Sequence, residues 1–149
     1  MKKWLFILGM SAILVIAGAL AVRAQIVDTI DVEIPFGFTV QNKMFPAGKY
    51  SLVTLGTTRD VMALRDERGR TVTMFLTESD ILTKEPEKTE LVFDRIGDEY
   101  FLSRIFEEGN TIGVELPKPR AERDLEKTTA MVQVQSVEVL AQVASSSKK

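Results

Sequence analysis

The sequence predicts an all-β protein: a compact barrel or sandwich of about eight mostly antiparallel strands, with a short C-terminal helix and an N-terminal signal peptide. Three observations lead there. Every even position from Ile30 to Val40 is apolar, the period of two that puts one face of a strand in a core. Short runs rich in Val, Thr, Ile and Phe then recur between turn-forming pairs such as Gly97-Asp98 and Gly109-Asn110. Ahead of both, a nearly unbroken apolar segment follows two lysines.

That first segment has the layout of an export signal. Lys2 and Lys3 give a positive start, Trp4 to about Val22 is nearly all apolar, and Val22 and Ala24 place short side chains at the −3 and −1 positions of a signal-peptidase site. Cleavage after Ala24 is the favoured reading; the alternative keeps the segment as an uncleaved anchor, since about 19 apolar residues just span a bilayer. The chain has no cysteine, which excludes a lipid-modified N-terminus and disulfides, so the exported domain must be held by its core. The domain organisation that follows is residues 1–24 as signal peptide and 25–127 as the β-domain with its short terminal helix. Residues 128–149 form a tail.

Within the domain, Pro35 cannot donate to a ladder and Gly37 lacks a side chain, so the alternating run bends there or divides into two strands. Pro46-Ala47-Gly48 reads as a tight reversal, with Tyr50, Leu52 and Val53 opening the next strand. Val61 to Arg65 and Thr71 to Thr77 pair across the turn Arg65-Asp66-Glu67-Arg68-Gly69-Arg70. Residues 78–90 are charged, contain Pro86, and read as a connection. Leu91 to Ile96, Tyr100 to Phe106 and Thr111 to Leu116 complete the strands. The pattern favours a compact meander barrel, with a two-sheet sandwich as the alternative.

Prolines at 117 and 119 stop the last of these strands, and the Ala, Glu, Arg, Leu and Lys that follow predict a helix from about Pro119 to Lys127. In the tail, Val132, Val134, Val137 and Val139 fit an added edge strand better than a helix, and the closing Ser-Ser-Ser-Lys-Lys reads as disordered.

The chain has no histidine as well as no cysteine, which removes the usual general base, nucleophilic triads, thiol chemistry and the common zinc ligands. No Gly-rich phosphate loop occurs. Removing residues 1–24 takes away Lys2, Lys3 and Arg23 and leaves 16 basic against 21 acidic groups, a net of −5 that argues against nucleic acid. Carboxylates remain: Asp94 with Asp98 and Glu99, or Glu107 with Glu108, as an acid/base pair, and Asp66-Glu67 or Asp98-Glu99 as oxygen ligands for calcium. Each of these sets lies at an expected hairpin, where acids are ordinarily solvated turn residues. Phe36, Phe38, Tyr50, Phe93 and Phe106 are the candidates to line a pocket for an apolar ligand, against the plainer reading that they are core.

Three segments together resemble a known group. The stretch Ile34 to Tyr50 (IPFGFTVQNKMFPAGKY), the stretch Leu91 to Phe106 (LVFDRIGDEYFLSRIF) and the stretch Leu116 to Lys127 (LPKPRAERDLEK) are similar to motifs of small secreted proteins abundant in Acidobacteria and related soil bacteria. The resemblance covers Ile30 to about Lys127. It implies an exported, small all-β domain in a Gram-negative envelope, and brings no catalytic residues.

The expectation is a non-catalytic exported β-domain, periplasmic or extracellular, serving as a structural or protein-interaction module of the cell envelope and needing no cofactor. Its contacts are expected through an edge strand or the tail, with an envelope protein or with itself, and with membrane only through an uncleaved segment 1–24. The alternatives are a small apolar-ligand-binding barrel and a carboxylate-dependent hydrolase.

Overall fold

The computed structural model describes residues 29–128 and 134–144. The expected signal segment and the Ser-Lys end of the tail lie outside the described residues.

The alternating run divides where Pro35 interrupts the ladder. Strand β1 (Thr29–Ile34) ends one residue before it, and β2 (Phe38–Val40) begins after Gly37. Ile30, Val32, Ile34, Phe38 and Val40 are buried, and the half-buried Phe36 packs against the same core. The return limb bends at the same height: β3 (Lys43–Phe45) pairs with β2, and β4 (Gly48–Thr54) pairs with β1. The reversal expected at Pro46-Ala47-Gly48 therefore lies elsewhere. The chain turns back at Gln41-Asn42, where Gln41 takes a positive φ of 56°, and Pro46-Ala47 is the corner of a bent hairpin. A proline at position 46 suits a corner equally well, because either geometry needs a residue without a ladder N–H. The Tyr50 hydroxyl pins this corner, donating to the Pro46 carbonyl at 2.8 Å.

From β4 the chain meanders through β5 (Val61–Asp66) and β6 (Thr71–Leu76). The turn between them is held by Asp66, whose Oδ1 accepts from the backbone N–H groups of Arg68 and Arg70. Segment 78–90, expected to be a connection, contains a further strand, β7 (Glu78–Ile81). Then β8 (Glu90–Ile96) and β9 (Glu99–Phe106) form a hairpin across Gly97-Asp98. Gly97 there adopts φ 63°, the left-handed value that glycine supplies at the first position of a two-residue loop. Strand β10 (Ile112–Glu115) lies between β9 and β7, helix α1 (Arg120–Thr128) follows, and β11 (Gln135–Val143) ends the described chain.

These eleven strands make one curled, mixed sheet, a half-barrel, in place of the closed barrel or two-sheet sandwich of about eight strands. Its order is β3-β2-β9-β8-β11-β1-β4-β5-β6, with β10 and β7 added beside β9. All pairings are antiparallel except β2 with β9. Two positions on it carry an extra residue: Val72 on β6 and Ser103 on β9. A bulge leaves such a residue outside the ladder, and both carbonyls are claimed from elsewhere. Ser103 accepts from the Leu116 N–H at 2.8 Å. Val72 accepts from Lys43 Nζ at 2.8 Å. Lys43 and Val72 belong to β3 and β6, the two ends of the strand order, so one lysine bridges the mouth of the half-barrel.

The tail forms the expected strand, in an unexpected place. β11 is interior to the sheet: residues 135–140 pair with β8, and residues 141–143 pair with the other neighbour, β1.

One tight contact fixes β10 against β9. A Cβ on Gly113 would lie 2.4 Å from Cδ1 of the buried Phe106 ring and 3.0 Å from the Ile105 carbonyl oxygen. Gly113→Ala is expected to destabilise the fold by about 1–3 kcal/mol, the usual cost of overfilling a packed site. Chemical denaturation checks this; an unchanged midpoint would show that the ring moves aside freely.

Candidate functional site

The structure brings four of the five candidate pocket residues together. The Phe36 ring meets Phe93 edge-on at 5.2 Å between centroids, and Phe38 meets Tyr50 at 5.2 Å and Phe93 at 5.7 Å. Two rings not foreseen complete the cluster: Tyr100 stacks on Phe36 at 4.0 Å, and Phe45 lies 5.6 Å from Phe38. At these separations the rings pack directly on one another between the bent hairpin and the β8–β9 hairpin, and an opening of about 350 Å³ lined by Phe36, Phe38 and Tyr100 remains beside them. Phe106 is packed elsewhere, over Gly113. Burial, and secondarily the charge of Asp66, raises the Tyr50 phenol above its ordinary range.

The carboxylates are distributed differently from their order in the sequence. Asp94 is buried in the middle of β8, whereas Asp98 is exposed at the hairpin tip beside Arg95. Glu107 pairs with Arg59 at 3.0 Å, while Glu108 uses its backbone N–H to donate to Thr89 Oγ1. Asp66 serves its own turn, and the Arg70 side chain bonded to it lowers its pKa first, with backbone N–H donors adding to the effect. Among the described residues no group of three or more acids is placed to hold a metal ion.

The acid placed near enough to feel the charge of Asp94 is Glu122. Leu91 and Phe93 point into the core, so Val92 and Asp94 face the other side of β8, where α1 packs. Glu122, from the first turn of α1, is 1% exposed there, and its Oε1 accepts no hydrogen bond. Lys118 Nζ lies 3.8 Å from Glu122 but makes its close contact, 2.5 Å, with Glu126. Burial pushes the Glu122 carboxyl up to about 7; Lys118 opposes this, and the charges of Asp94, Glu126 and Glu115 add to it. Glu126, with its short hydrogen bond, raises the Lys118 ammonium in turn. Glu122 and Asp94 are thus two buried acids on the α1 side of β8, beside a lysine committed to Glu126.

A broad, shallow opening lies where β11 changes partner. Ile30, Asp31 and Val32 pair with Val143, Gln142 and Ala141, but Glu33 and Ile34 have no counterpart on β11. Strand β11 has by then joined β8, which leaves its edge from 135 to 140 facing β1 without a strand partner among the described residues. The result is a wedge of about 810 Å³, lined by Glu33, Ile34, Pro35 and Phe36 on one wall and Val137, Glu138, Val139 and Leu140 on the other, with Ala47 and Gly48 at its end. Strand edges expose N–H and C=O groups that an added strand satisfies. Alternation sorts the walls: Ile34 and Val139 are buried toward the core, and Glu33 and Glu138 are exposed. Only Phe36 of the candidate pocket residues lines this wedge. The missing signal was the change of partner by β11, which no local pattern carries.

Comparison with family models, with curated proteins and with solved structures finds no match to this chain.

Proposed function

We propose that this chain is an exported, non-catalytic interaction module of the cell envelope that takes an extended segment of a partner protein onto the free edge of β11. The observation that carries this reading is the wedge between β1 and β11, where two strand edges diverge over an apolar floor. Strand addition uses such an edge for affinity and the adjoining side-chain hollows for selectivity. Export is supported by the signal-like segment 1–24 and by the resemblance to small secreted proteins. The non-catalytic character is supported by the chemistry of the side chains: no histidine, no cysteine, and acids that sit in turns, ion pairs or beneath α1.

A short extended peptide tests the reading. Titrating the isotope-labelled domain with a seven-residue peptide of alternating valine and glutamine, blocked at both ends, should shift the backbone amides of 33–36 and 137–140. Binding should be weak, with Kd on the order of 0.1–1 mM, because an unstructured peptide loses conformational freedom on docking. Shifts confined to β6, the terminal strand of the order, or no shifts at millimolar peptide, would dismiss the wedge as the site.

A further inference from the structure

The faces of the wedge carry information about its occupant beyond the fact of strand addition. The wedge has two charged side chains, Glu33 on the β1 wall and Glu138 on the β11 wall, and both are carboxylates on the outer face. A third, Glu90, stands on the neighbouring β8, paired with Leu140. Its carboxyl is raised first by burial and then by the charge of Glu138, while Lys88 acts in the opposite direction, so the two acids sit close enough to repel. Two further cations lie on strands outside the wedge: Lys49, directly across from Glu33 on β4 at the far side of β1, and Arg104 on β9, which reaches across β8 to Ser136 Oγ. A strand added to β11 continues the alternation of its neighbours. Its inward side chains meet Ile34 and Val139, and its outward ones enter the space between Glu33 and Glu138.

We propose that the occupant is an extended segment of another protein in which apolar residues alternate with lysine or arginine, the basic side chains lying between Glu33 and Glu138. This rests on the strand-addition reading and adds to it the sign of the partner's charge. An arginine or lysine in this position relieves the repulsion between the acids and keeps its charge at the solvent-facing rim, where an ion pair forms without the cost of burying it. A partner with acidic residues at the same positions would add a third negative charge between two others, so the wedge discriminates by repulsion as well as attraction.

Three blocked seven-residue peptides, valine alternating with lysine, with glutamine or with glutamate, separate the two claims when bound to the domain and followed by fluorescence anisotropy. The lysine peptide is expected to bind about tenfold more tightly than the glutamine peptide at low salt, and the glutamate peptide more weakly than either. Raising the salt should narrow the gap between the lysine and glutamine peptides. The double variant Glu33→Gln/Glu138→Gln, made at exposed positions, should abolish the lysine advantage, so that the lysine and glutamine peptides bind it about equally. Equal binding of lysine and glutamine peptides overturns the charge preference and leaves strand addition standing. A lysine advantage that survives in the double variant also overturns it, since the charge then acts elsewhere. Failure of every peptide to bind overturns strand addition, and the preference with it.

Discussion

Phe93→Ala is expected to cost about 3–5 kcal/mol, the range for removing a fully buried aromatic side chain. Phe93 has no exposed surface, and its ring meets both Phe36 and Phe38, so it joins the bent hairpin to the β8–β9 hairpin. A domain of this size has a total stability of about 5–15 kcal/mol, so the variant should be largely unfolded at 37 °C or reach its denaturation midpoint at much lower urea. Phe36→Ala serves as the comparison: the ring is half-buried, and its loss should cost roughly 1–2 kcal/mol. Equal losses for the two variants would mean that the cluster does not join the two hairpins through Phe93.

The second large effect is a pH dependence. The Glu122 carboxyl has an ordinary value of 4.5 and is pushed to about 7 in the fold. Between those values the folded chain retains a proton that the unfolded chain has released. This group's contribution is therefore fully present below about pH 4.5 and is lost as pH rises through 7. The size is on the order of 3 kcal/mol for a shift of this extent. Glu122→Gln keeps the shape without the charge, so the variant should gain on the parent as pH rises from 5 to 8, and be the more stable protein at pH 8. Measuring unfolding free energy for both across that interval isolates Glu122, because acids such as Asp66 with lowered pKa values act at lower pH in both proteins. A difference between the two that stays flat from pH 5 to 8 would show that Glu122 is ionised throughout.

Much of the fold could be read from residues whose burial follows a period. Ile30 to Val40 gave β1, the break at Pro35 and β2, since each even side chain reaches the core. Gly97-Asp98 marked its hairpin because one loop residue needs a positive φ. Strand β7 was hidden for the converse reason. Its residues Glu78 to Ile81 lie on the rim of the sheet, mostly exposed, so neither face imposes an apolar alternation. The Pro46 corner was misread as a reversal because proline reports a missing donor and says nothing about which way the chain leaves. The site was less legible still. Both the burial of Glu122 and the wedge beside β11 arise from elements brought together across many residues, and the valines of the tail encode a strand without encoding its neighbours.

The place of β11 bears on the order in which this protein can be assembled. It follows every other described strand in the sequence, and among the described strands it alone pairs with both β8 and β1. The bent hairpin and the β4–β6 meander are complete by residue 76, and the β8–β9 hairpin by residue 106; β2 can pair with β9 from then on, but the sheet stays open between β8 and β1 until residues 135–143 are added. A chain made from its N-terminus can therefore join its two halves at the β2–β9 seam first, and closes the second seam only when β11 arrives. Pairs such as Ile30 with Val143 lie far apart in the sequence, so closing this seam is a long-range step of the kind that forms slowly.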